Sequence, residues 1–233
     1  MARSTGDPLC YATVVTWAYF AAIPYGVLTP DDGAVRETED ALRMADRSGD
    51  DLALTFTRAT LGLALVHRST DAERVRGQKL LADVSDTYRR HGHNLCELPL
   101  VEVFSERESA RRGDRDAAIP LMRTGADHSL REGRLLAWSV PVTGVLVETL
   151  LDRGARSDVA EAEAEAEAAI ERLAEAPSDE GLAVRDIWLL RLRALLARAR
   201  GDEVAYRDYR DRYCAMATSL GFEGHMKWAE PMP

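Results

Sequence analysis

Evenly spaced helix stops constrain this chain more than any other feature. Gly49, Gly92, Gly133, Pro177 and Gly221 each close a run with apolar residues at helical spacing, and they stand 43, 41, 44 and 44 residues apart. Glycine ends a helix because it takes the left-handed conformation without a side-chain clash, and proline has no amide hydrogen with which to continue one. A second break falls about one helix beyond each of the first four stops, near Ser69-Thr70, Gly113, Gly154 and Gly201. Each interval therefore holds two helices with too little partner surface of their own, and neighbouring pairs must stack to bury it. The expected fold is all-α, an α-solenoid of about five antiparallel helix pairs, tetratricopeptide-like, with a repeat of about 43 residues. Read as one helical-repeat domain over 1–233, the pairs span about 9–49, 50–92, 95–133, 134–177 and 182–221, followed by a capping tail over 222–233.

Local chemistry agrees with that division. At Gly113-Asp114 and again at Gly201-Asp202 a glycine ends one helix and an aspartate can cap the next, and Ser48-Gly49-Asp50 closes an earlier helix. Aromatic residues make up only 6% of the chain, too few for a sheet-rich core. Even the alternating run Ala160 to Ile170 reads as helix, because alanine and glutamate disfavour strands, and its glutamates are expected on a solvated face. Pro99 is tolerable only in the first turn of its helix. From Leu135 to Val147 there is no charge, so this helix is expected to pack on more than one face, with a kink at Pro141 and Gly144. In the tail, Phe222, Met226 and Trp228 are expected to fold back over the last helix.

The stretch from Pro8 to Pro30 carries no charge either. Its length raises the question of a membrane span, but Tyr11, Thr13, Thr16, Tyr19, Pro24, Tyr25 and Gly26 dilute and break it. A secretory leader fits no better. The expectation is a terminal helix outside any membrane that is apolar nearly all round and so calls for a neighbour on both sides, either a missing upstream repeat or a self-association contact. A net charge of -9 argues against nucleic acid as a partner, since phosphate binding needs a clustered basic face. The three cysteines, Cys10, Cys96 and Cys214, are odd in number and far apart, which suits reduced thiols and a cytoplasmic protein.

Catalytic motifs are absent. The two lysines, Lys79 and Lys227, follow Gln78 and Met226 and so complete no phosphate-binding loop. No dinucleotide fingerprint, nucleophile elbow or zinc-protease helix occurs. His91, His93 and Cys96 could be metal ligands with a fourth from His67 or His128, but they coincide with a turn between repeats, and the turn reading is preferred. No metal, cofactor or catalytic residue is expected, and the chain reads as a non-enzyme. In stacked hairpins the first helix of each pair usually lines the binding surface. The candidate interaction residues on those helices are Glu102 with Glu106 and Ser139 with Thr143, each pair one turn apart.

Several segments resemble the C-terminal helical region of large actinobacterial, mainly mycobacterial, multidomain proteins. They are 48–54, 60–68, Glu97-Leu98-Pro99, 111–114, 141–151 and above all the tail Ser219-Leu220-Gly221-Phe222-Glu223-Gly224-His225-Met226-Lys227-Trp228-Ala229-Glu230. In that family a class III adenylate/guanylate cyclase domain precedes an ATPase domain and a tetratricopeptide-like array. The cyclase and ATPase domains have no counterpart here, so the resemblance implies a regulatory or scaffolding array, a separately encoded piece or the product of a truncated gene. The partner it implies is a protein, either a cyclase/ATPase-type signalling protein or a second copy bound through the N-terminal apolar helix. The alternative function is a small-molecule effector sensor, with a pocket along the 134–153 helix, attached to signalling or transcriptional regulation.

Overall fold

The structure, a computed structural model, describes residues 8–92, 95–131, 136–152, 159–177 and 181–232. Among the described residues every regular element is a helix: α1 (Pro8–Ala22), α2 (Asp32–Ser48), α3 (Asp51–Val66), α4 (Asp71–His91), α5 (Leu98–Arg111), α6 (Arg115–Arg131), α7 (Leu136–Leu151), α8 (Val159–Glu175), α9 (Ala183–Ala199), α10 (Glu203–Leu220) and α11 (Glu223–Ala229). The all-α expectation therefore holds. Helix ends form as the sequence suggests. Gly49 and Gly201 take φ of 71° and 72°, while Asp50 and Asp202 accept from the amides of Ala53 at 2.9 Å and Ala205 at 3.0 Å. Two further stops, Gly133 and Gly154, lie outside the described residues. Pro99 occupies the first turn of α5.

The helices fall into two compact units, Met1–Glu108 and Ser109–Pro233, with the division inside α5. In the first unit, α1 packs on α2, α2 on α3 and α3 on α4, and α1 also packs on α3. The face that α2 turns inward is small (Ala34, Thr38, Ala41, Ala45), which lets its neighbours approach closely. Apart from Arg58, α3 is buried from Thr55 to Val66, as a helix between partners must be. Its C-terminal carbonyls are met by cations: Arg107 donates to Val66 O at 2.9 Å, and Arg74 to Ser69 O at 2.6 Å just beyond the helix. Buried Glu108 sits between those two guanidinium groups, 3.5 Å from Arg107 and 3.4 Å from Arg74.

In the second unit, α6 to α10 again pack in sequence, α7 also packs on α9, and α11 lies on α10. Val140, Val142, Val145, Leu146, Val147 and Leu150 bury α7. The helix continues through both Pro141 and Gly144. The alternating stretch is helical, with Ala162, Ala166, Ala169, Ile170 and Leu173 turned inward on α8. Its glutamates lie on the outer side, Glu161 and Glu167 exposed and Glu163 and Glu165 half-exposed. Glu165 holds Arg123 of α6 in a two-toothed pair, and Glu167 holds Arg200 of α9 at 2.8 and 3.0 Å. Exposed pairs of this kind add little stability, but they fix how far α8 slides against each neighbour.

Candidate functional site

The four residues picked out by position have different fates. Glu102 is drawn into the fold of the first unit, where its carboxylate accepts from Ser85 at 2.9 Å and pairs with Arg89 at 2.6 Å, tying α5 to α4. Glu106, one turn further, is half-buried. Beside it, Gln78 donates to the Ser105 carbonyl at 3.2 Å, extending the same seam. Ser139 and Thr143 are each 1% exposed, so the surface expected at them is closed. The physical reason is that the turns of α7 around Ser139 and Thr143 carry no charge to hold a flank in water, the one charge of the helix being Glu148 near its end, and α6, α8 and α9 all pack on it. The Thr143 hydroxyl has no hydrogen-bond partner among the described residues.

The histidine-cysteine turn does not assemble ligands in the described residues. His93 lies outside them, and no group of three histidine, cysteine, aspartate or glutamate side chains is placed to hold a metal ion. Cys96 donates its thiol hydrogen to Glu97 at 2.9 Å. Cys96 is exposed as a residue, but partial desolvation of its sulfur, with that carboxylate beside it, pushes the thiol up to about 11, the wrong direction for a thiolate ligand. His67 is engaged locally, its Nδ1 2.7 Å from Leu63 O and its ring 4.9 Å from that of Phe104, while His128 is exposed on α6.

A cluster that the sequence did not single out gathers in the second unit where the tail meets α9 and α10. Trp188, Tyr213 and His225 are buried, and Trp228 completes an aromatic cage. The Tyr213 hydroxyl lies 3.0 Å from both the carbonyl and the Nδ1 of His225. Arg191 threads the cage, with its guanidinium 5.3 Å from the Trp228 ring and 5.9 Å from that of Tyr213. It donates to Glu148 of α7 at 2.7 Å and to the Trp228 carbonyl at 3.3 Å. Burial disfavours the cation, but the Glu148 carboxylate and Tyr213 outweigh it and hold the guanidinium protonated. Burial likewise pushes the Tyr213 phenol above its ordinary range, with Arg191 opposing.

The cage corrects the expected tail in detail. Phe222 stacks on His225 and Trp228 turns inward, but Met226 is 37% exposed, and the buried members are His225 and Met232. One signal was available in Gly144, a glycine in an otherwise bulky apolar helix, because the Trp188 ring lies against its Cα. Chemically the cluster is a cross-link: Trp188, Tyr213 and His225 are buried against protein, and the group joins α7, α9, α10 and α11.

The remaining feature is a face of α1. Its inner side packs Phe20 on Phe56 with ring centroids 4.6 Å apart and sets the Thr16 and Thr57 hydroxyls 3.3 Å apart. Its outer side carries Cys10, Thr13, Val14, Trp17, Ala18 and Ala21 in one exposed stripe, with Val14 54% and Trp17 48% exposed. Among the described residues no helix is long and apolar enough to cross a membrane.

No protein-family model, curated protein or solved structure matches this chain.

Proposed function

We propose that the chain is a non-catalytic helical-repeat module for protein interaction and regulation, an α-solenoid whose helix pairs recur about every 43 residues. The observation that carries this reading is the packing order within each unit. From α1 to α4 and from α6 to α11 each helix lies on the next, and α1 on α3 and α7 on α9 repeat the contact two helices on. Stacking of this kind presents broad helix faces to partners and buries no reaction chamber. The resemblance of the tail and of the 141–151 segment to the C-terminal arm of class III cyclase-ATPase proteins suggests that the partner is a signalling protein of that type and that the chain works in the cytoplasm. The effector-sensor reading is less favoured, because the Trp188 ring fills the notch at Gly144 along α7 where a ligand would need room.

The test is direct binding between purified chain and a purified actinobacterial cyclase-ATPase protein, read by interferometry and by the turnover of both catalytic domains. Saturable binding with altered cyclase or ATPase turnover is expected. An absence of binding at about 100 μM chain, far weaker than regulatory contacts of standard size, would remove this partner.

A further inference from the structure

We propose that the outer face of α1 recognises a second copy of this chain, pairing two α1 helices antiparallel about a two-fold axis that passes between Val14 and Trp17. The inference rests on the interaction-module reading and names one partner for it. Three features of the face select that occupant.

First, charge. No residue from Pro8 to Pro30 is charged, so a partner read through acidic or basic groups finds nothing here to pair with. Other outer faces differ: α10 shows Arg207, Asp208, Asp211 and Arg212 to solvent, and α4 shows Asp83, Asp86, Arg89 and Arg90. Two copies of a chain with net charge -9 repel over most approaches, and the uncharged α1 face lets them meet without apposing like charges.

Second, register. The stripe runs Cys10, Thr13, Val14, Trp17, Ala18, Ala21, with its two bulky members in the middle and smaller ones at both ends. Reversal about the midpoint places Val14 against Trp17 of the second copy, Thr13 against its Ala18 and Cys10 against its Ala21. The small flanks let the helix axes come close, and each bulky side chain meets a different one. Such an arrangement is isologous and closes at two copies, so it does not propagate into a filament.

Third, orientation and size. Trp17 is held from behind by Phe56, with ring centroids 4.6 Å apart, so the half of it that faces outward is positioned before any partner arrives. A six-residue helix face buries roughly 400 Å² per copy, about half of a standard interface. The pair is therefore a concentration-dependent equilibrium.

Sedimentation equilibrium of the full chain from about 5 to 500 μM tests this, a range set by the small interface. The weight-average mass is expected to climb from 25.8 kDa toward twice that value. Val14→Arg and Ala18→Arg, each at an exposed position, are expected to weaken pairing by about 30-fold or more by placing unpaired charge in the seam, with unchanged circular dichroism. Val204→Arg, at an 81% exposed position on α10, is the control and is expected to pair like the parent. Register is read in a Cys96→Ser, Cys214→Ser background. There Ala21→Cys is expected to give an oxidised dimer linked through position 10 of one copy and position 21 of the other. These positions lie about 16 Å apart along one helix, too far for a bond within a chain. A chain that stays at 25.8 kDa throughout, or a dimer indifferent to both arginine substitutions, overturns the proposal. Linkage through Cys10 of both copies overturns the antiparallel register. A monomeric chain that still bound a cyclase-ATPase protein would sink the pairing and leave the module reading intact.

Discussion

Replacing Gly144 with alanine tests the closest fit in the second unit, and its sign discriminates. A Cβ built on Gly144 would lie 2.5 Å from Cε3 of Trp188, 3.0 Å from Cη2 and nearer still to Cζ3. Carbon atoms rest at about 3.5 to 4.0 Å, so the indole must retreat by about 1 Å. It has nowhere to go, because Trp188 is buried with His225 5.5 Å and Trp228 5.4 Å away between ring centroids. Overpacking of this kind costs about 1–3 kcal/mol, and with an indole as the obstacle the upper end applies. Alanine returns about 1 kcal/mol through helix preference, leaving Gly144→Ala destabilising by about 1–2 kcal/mol. Urea denaturation followed by tryptophan fluorescence and by circular dichroism reads the difference. On a Trp188→Leu background the obstacle is gone, and Gly144→Ala is expected to be neutral or stabilising, a coupling of about 2 kcal/mol between the sites. If Gly144→Ala alone raises stability, or if the two changes add, the account of this contact is wrong.

Three other outcomes follow from the same geometry. Arg191→Met strips Glu148 and the Trp228 carbonyl of their donor and is expected to cost about 2–4 kcal/mol, with faster hydrogen exchange over α11; unchanged exchange there would mean that Arg191 does not anchor the tail. Burial raises the Tyr25 and Tyr213 phenols above their ordinary 10.0, so the stability they contribute is whole below pH 10 and declines as pH rises beyond it, because the unfolded chain releases those protons first. Denaturation from pH 8 to about 11.5 should show that decline, and a Tyr25→Phe, Tyr213→Phe variant with the same alkaline loss would contradict it. Cys96, held at about 11 by partial desolvation of its sulfur and then by Glu97, is expected to alkylate at pH 8 about 100-fold more slowly than an ordinary thiol. Glu97→Gln should recover only part of that rate, since desolvation is the larger cause; full recovery would reverse the ranking.

The sequence by itself determined where helices start, where they stop and that little else could form. Gly49-Asp50 and Gly201-Asp202 act within a single turn, since the left-handed φ and the capping carboxylate need no distant partner. Helix over strand in the Ala160–Ile170 stretch was legible for the same reason, as was burial of the uncharged run from Trp138 to Val147. Tertiary structure alone decided which sides face which. Helices apolar on several faces, such as α1 and α7, carry no period that marks the inward side, so Ser139 and Thr143 were readable as small polar residues but not as interior ones. In α8 the alternation does not separate the buried Ala162 and Ala166 from the exposed Ala164 and Ala168, and the arginines that claim Glu165 and Glu167 stand 42 and 33 residues away. His225 and Met226 are neighbours in a seven-residue helix, and only the cage of Trp188, Arg191 and Tyr213 on α9 and α10 selects the histidine for burial. Backbone preference is settled among adjacent residues, whereas burial depends on surfaces that meet only after the chain has folded back on itself.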